Sequence, residues 1–175
     1  MSQQDCSANM SGDQRPMSVQ AGEELYNAHI LALAGDMPRA GRLAHPQAAA
    51  DVESRLCGSR MHVELSLTKE ARIADFAHET EACALGQAAA SIVARTIVGR
   101  PAAELRAVSA RMRAMLEEGG PPPAGVWRSL RLLAGVRDYP MRHGSVMLVF
   151  RGVEACLQQI LDQPSKPVEE NMGQK

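Results

Sequence analysis

The stretch Met61-His62-Val63-Glu64-Leu65-Ser66-Leu67 decides how the rest of the chain is read. Met61, Val63, Leu65 and Leu67 fall on one side of an extended backbone and His62, Glu64 and Ser66 on the other, which is the period-two signature of a half-buried strand. Downstream, Thr68 to Ala71 forms a polar turn into a second extended run through Ile73, Phe76 and His78, so an antiparallel hairpin is expected. Upstream, a third strand is expected before Cys57, around Ala50 to Arg55.

Past Cys83 the period lengthens. Leu85, Ala89, Ile92, Val93, Thr96 and Ile97 share one face of a helix that Gly99 can end. Pro101 suits the first turn of the next helix, which turns Leu105, Val108, Met112, Met115 and Leu116 inward. Gly119-Gly120-Pro121-Pro122-Pro123 cannot continue a helix and reads as a stiff linker. Trp127, Leu130 and Leu133 then suggest a short helical piece. A last helix is expected after Gly144, with Val146, Val149, Val153, Cys156 and Ile160 as its stripe. Near the start, Tyr26, Ile30 and Leu33 recur at helical spacing behind the acidic pair Glu23 and Glu24, with Gly35 and Pro38 as stop signals. The predicted class is α+β: a small antiparallel three-stranded sheet packed against several helices over residues 21–162. Residues 1–20 and 163–175 lack hydrophobic periodicity and read as disordered tails.

Composition narrows the function. The 175 residues carry 19 basic and 20 acidic side chains, and a net charge of −1 gives no field to draw in nucleic acid or an anionic membrane. Aromatic residues make up only 3%, which favours helices packed through aliphatic side chains. The first twenty residues lack a basic start and an apolar run, so the chain reads as cytoplasmic. Arg95 interrupts even the longest apolar run, around Ala88 to Val98, and a membrane span of ~18 apolar residues is not expected. No Gly-rich phosphate loop, nucleophile elbow or HExxH helix is present.

Chemistry is therefore left to three junctions: Cys57-Gly58-Ser59, Cys83-Ala84-Leu85-Gly86, and Arg142-His143-Gly144-Ser145. Cys57 has Gly58 beside it and Arg55 and Arg60 close by, whose charge can favour a thiolate. Cys83 precedes a helix, where free N–H groups and the dipole lower a thiol's pKa, so it is expected to be the more reactive of the two. Cys156 reads as core and Cys6 as a bystander in the tail. His29, His45, His62 and His78 read as surface or capping residues.

These junctions resemble the NifU N-terminal, IscU and SufU scaffold family, whose members carry Cys-Gly-Asp, a second Cys before a helix and a third Cys before the last helix. Cys57 through Cys83 is similar to that pattern without a gap, the likeness runs from about Leu25 to Leu157, and Pro38-Arg39 is similar to the family's Asn-Pro-Arg segment. The resemblance implies a SufE/NifU-like fold and a non-enzymatic scaffold or carrier for iron or a 2Fe-2S cluster. Cys57 and Cys83 would be the metal ligands, with Ser145 and His143 beside them. It also implies a cysteine desulfurase and apo iron–sulfur proteins as partners. The alternatives are a SufU-like zinc-dependent sulfurtransferase that accepts a persulfide, and a metal-free interaction module.

Two of the family's usual ligands are missing: Ser59 stands where the aspartate is expected and Ser145 where the third cysteine is expected. A neutral serine oxygen is a poor substitute for a thiolate toward iron or zinc. Two thiolates are half of the four ligands a cluster usually takes, so His143, an outside thiol or a second protomer in a homodimer would have to supply the rest.

Overall fold

The computed structural model describes residues 25–162, and the two expected tails lie outside the described residues. Helix α1 (Ala28–Gly35) leads to strands β1 (Ala48–Glu53), β2 (Arg60–Leu67) and β3 (Ile73–Glu81). Helices α2 (Ala84–Thr96) and α3 (Ala102–Glu117) follow, then a 3-10 segment (Gly125–Asp138), α4 (Pro140–Val146) and α5 (Leu148–Asp162). The strands form one antiparallel sheet in the order β1-β2-β3. The α+β class and the three-stranded sheet are as expected, with β1 lying slightly earlier than its predicted span.

Register explains the two faces. Leu65 pairs with Ala48 and Phe76, and Val63 with Ala50 and His78, so these side chains form the inner face. Helix α5 lies across it on β1 and β2, and Gly152 makes this possible: a Cβ there would stand 2.5 Å from Val63 Cγ2. His78, expected at the surface, is instead fully buried on this face. Its Nε2 lies 3.1 Å from the Pro38 carbonyl, and its Nδ1 lies 2.8 Å from Thr80 Oγ1. Both ring nitrogens thus have neutral partners, which is how an imidazole is tolerated in a core.

The outer face carries charge. His62 sits between Asp51 (2.7 Å) and the nearly buried Glu64 (3.1 Å), and Arg42 joins Glu79 at 2.8 Å. The segment between α1 and β1 straps this face. Its Arg39 and Gly41 pair with the backbone of His78, and Leu43 donates its N–H to Glu64 at 2.6 Å. At the opposite edge, side chains of α5 take carbonyls of β1: Gln159 donates to Ala49 at 2.8 Å and Arg151 to Glu53 at 3.0 Å.

Helix α2 is the centre of the domain. It is buried from Leu85 to Ala94 with one half-exposed position, Gln87, rather than along one stripe, and its small residues let α1, β3, the 3-10 segment, α4 and α5 close around it. A helix apolar on all sides belongs in such a place. Helix α1 begins at Asn27, whose side chain accepts from the N–H groups of His29 and Ile30 at 3.1 Å.

Two readings near the C-terminus are corrected. The Trp127, Leu130, Leu133 piece is a 14-residue 3-10 segment that also buries Val136, so its buried positions recur every third residue, as three residues per turn require. Arg142 to Ser145 is not the entrance to the last helix. It lies inside α4, a separate short helix that Pro140 opens, and α5 starts only at Leu148. Among the described residues no helix is long and apolar enough to cross a membrane.

Candidate functional site

Cys57 lies in the six-residue turn Ser54–Ser59 that joins β1 to β2. Ser54 donates its N–H to the Ser59 carbonyl and Gly58 returns a bond to the Ser54 carbonyl, both at 2.8 Å. The turn closes because Gly58 adopts φ +67°, a left-handed conformation that costs glycine little. Cys83 is the residue before the first turn of α2. Its thiol makes no bond to the helix N–H groups and is directed instead to Ser145. Ser145 arrives on α4, completely buried.

The three junctions meet there. Cys83 Sγ lies 3.3 Å from Ser145 Oγ, Ser145 Oγ lies 3.3 Å from Ser59 Oγ, and Ser59 Oγ lies 3.1 Å from Cys57 Sγ. Two glycines permit the approach. A Cβ on Gly86 would stand 2.5 Å from Ser145 Oγ, and one on Gly144 would collide with the Ser54 hydroxyl.

The surroundings of Cys57 favour its thiolate. Partial burial pushes the thiol up, but hydrogen bonds from the Ser54 and Ser59 hydroxyls, the Ser59 backbone N–H and the Ser145 hydroxyl outweigh it, and the net shift is downward. Hydroxyl donors, rather than Arg55 or Arg60, lead this effect; Arg60 is held by Glu81 at 2.6 Å on the outer face. Tyr26 closes the other side. Burial and the neighbouring Cys83 sulfur raise the phenol's pKa, while Arg142 opposes them. Cys156 is fully buried in α5, and its thiol is pushed up to about 12 by burial and by Glu64.

The model of the NifU-like N terminal domain matches residues 25–145. The chain belongs to this family. Among solved structures, a NifU-like protein (N-terminal) from Brucella abortus is 44% identical, with 82% of this chain and 99% of that chain covered at a TM-score of 0.80. FiSufU from Fervidobacterium islandicum AW-1, described as a candidate iron–sulfur cluster assembly scaffold protein for the SUF system, shares the fold at 20% identity, with 76% and 96% covered and a TM-score of 0.70. No curated protein matches the chain.

In this NifU-like domain the structure brings Cys57, Cys83 and Ser145 together and leaves His143 out. The His143 Nε2 lies 3.1 Å from the carbonyls of Val136 and Arg137, so the ring caps the end of the 3-10 segment and makes no bond to the thiols. Among the described residues no group of three or more His, Cys, Asp or Glu side chains is placed to hold a metal ion. Two thiols among neutral hydroxyls do not make the closed four-ligand set of a structural zinc site, so a resident zinc does not fit one copy of this domain. Two site members went unread in the sequence. Ser54 carried a signal, since it opens the turn that holds Cys57; Tyr26, read as a core residue of α1, carried none.

Proposed function

We propose that this protein acts in iron–sulfur cluster assembly as a non-enzymatic scaffold or carrier whose cargo, iron or a 2Fe-2S cluster, is gripped by Cys57 and Cys83. The observation that carries the reading is that the two sulfurs are linked through the buried Ser145 and Ser59 hydroxyls, Cys83 to Ser145 at 3.3 Å, Ser145 to Ser59 at 3.3 Å and Ser59 to Cys57 at 3.1 Å. Membership of the NifU-like family supports it, as does the description of FiSufU. One copy offers two thiolates, so a cluster with four protein ligands is held between two copies, each giving its Cys57 and Cys83. The partners are a cysteine desulfurase as the source of sulfur and apo iron–sulfur proteins as acceptors.

Anaerobic reconstitution with ferrous iron and sulfide tests this. The expected product is one 2Fe-2S cluster per two copies, seen in the absorption spectrum, the iron and sulfide content and the mass by light scattering. Cys57→Ser and Cys83→Ser should each abolish it, whereas Cys156→Ser should not. Zinc held tightly by the monomer would replace this reading with the sulfurtransferase, and binding of neither would replace it with the interaction module.

A further inference from the structure

The 3-10 segment has a face that the thiol site does not use. Three residues per turn eclipse i and i+3. Trp127, Leu130, Leu133 and Val136 therefore share the buried row, while Arg128, Arg131, Ala134 and Arg137 share another on which all four are exposed. At a rise of about 2.0 Å per residue, Arg131 stands about 6 Å and Arg137 about 18 Å from Arg128 along the axis. On other elements arginines meet carboxylates: Arg39 faces Asp75, Arg42 faces Glu79, Arg60 faces Glu81 and Arg95 faces Asp36. Among the described residues Arg128 and Arg131 have no such partner, and Arg137 has only its sequence neighbour Asp138, 3.4 Å from its Nε. Like charges stacked at this spacing repel, and nothing in the described chain offsets them. The adjoining row adds apolar surface, with Val126 47% exposed and Leu132 half-buried. Both ends of the segment are pinned, by the Trp127 indole N–H on Glu104 at 2.6 Å and by His143 at the Val136 and Arg137 carbonyls, so the row is held in shape before anything binds.

We propose that this arginine row is a docking site for an acidic α-helix of a partner protein. In an α-helix, side chains at i, i+4 and i+11 lie within about 40° of one another, at 0, about 6 and about 16–17 Å along the axis. Carboxylates there match the steps from Arg128 to Arg131 and Arg137. Each guanidinium offers a planar fork that a carboxylate can take with two hydrogen bonds, and Val126 and Leu132 cover the apolar flank of the same helix. Among the described residues no helix of this chain carries two acidic side chains four apart, so a second copy does not supply the match. A nucleic-acid backbone also repeats negative charge. The net charge of −1 gives it no wider field, and neither exposed row carries an aromatic ring on which a base could stack.

The test titrates the full chain, at about 50 mM salt, with a fluorescent Ala-rich helical peptide bearing Glu at i, i+4 and i+11. An isomer with Glu at i, i+5 and i+10 spreads the same three charges around its helix and serves as the control. By anisotropy the aligned peptide should bind at least about fivefold tighter than the isomer, and the preference should shrink as salt rises. Arg128→Gln, Arg131→Gln and Arg137→Gln together should remove the preference at an unchanged Tm, whereas Arg106→Gln with Arg111→Gln, at two exposed arginines of α3, should keep it. Arg128→Glu, Arg131→Glu and Arg137→Glu together should instead select the aligned peptide made with Lys. Equal binding of the two isomers, or a preference that survives loss of the row, overturns the proposal. So does a single-stranded oligonucleotide that occupies the row at lower concentration than the peptide, which would make nucleic acid the ligand. Glu23→Gln with Glu24→Gln that raises peptide affinity about fivefold or more would make the chain's own acidic pair the occupant, and a wild-type dimer that the Gln variant lacks would make it a second copy; either result refutes a partner helix.

Discussion

Replacing Gly86 by Ala tests whether the site's spacing is set by packing. The new methyl would stand 2.5 Å from Ser145 Oγ, 2.8 Å from Ala82 Cβ and 3.0 Å from the Ser145 carbonyl oxygen. Ordinary contacts are about 3.5–4.0 Å, so the neighbours must give by roughly 0.5–1 Å. The hydroxyl could swing away, but it is buried and bridges Ser59 to Cys83; the Ala82 methyl and the carbonyl have no rotamer to offer. Overpacking of this kind costs about 1–3 kcal/mol. Alanine's helix propensity returns up to about 1 kcal/mol, and less in the first turn. The net loss is then about 1–2 kcal/mol, a fall in Tm of roughly 2–8 °C for a chain of this size. The same displacement removes a donor from Cys57, so the pH midpoint of its alkylation should rise. Gly35→Ala is the control, because nothing lies within 4 Å of a Cβ there. Calorimetry with alkylation across pH checks both effects. A Gly86→Ala protein as stable as the wild type, with Cys57 unmoved, would refute the argument.

Cys57 should be alkylated with a midpoint below the ordinary thiol range while Cys156 stays unlabelled until the protein unfolds, which peptide mapping after brief exposure to iodoacetamide will show. Ser59→Asp with Ser145→Cys should complete a four-ligand set, giving a monomer that binds zinc far more tightly than the wild type in competition with a chromogenic chelator; its metal-free form should be less stable, since a carboxylate is then buried beside thiolates. Burial holds His78 below the usual imidazole range against the opposing bond to Pro38, so the unfolded chain takes up protons first on acidification. Its contribution is whole above about pH 6.5 and is lost as the pH falls toward the folded value. Urea unfolding between pH 7 and 5 should therefore show a smaller acid loss in His78→Phe than in the wild type.

The strand Arg60–Leu67 was legible because its alternation reports one buried face, and α3 because Leu105, Val108, Met112, Met115 and Leu116 report one stripe. Where burial is not one-sided, the pattern misleads. Helix α2 was read as amphipathic although it is enclosed, and the 3-10 segment was shortened because its period of three was matched to a period of 3.6. At the site, cysteines beside glycine and before a helix could be singled out from spacing. The cause of the shift at Cys57 could not, because it depends on hydroxyls gathered from a turn and from α4, and the sequence reading placed Ser145 on the wrong helix. His78 was misjudged for a related reason: its partners, the Pro38 carbonyl and Thr80, become neighbours only when the strap crosses the sheet.

That strap and the side chains of α5 have a consequence for how this protein behaves at high concentration. A sheet of three strands has two rims, and an open rim is a template on which a second chain can add a strand. Here the backbone of His78 on one rim is already bonded to Arg39 and Gly41, and on the other the carbonyls of Ala49 and Glu53 are taken by Gln159 and Arg151. Strand addition would have to break these bonds first, which guards the protein against amyloid-like stacking.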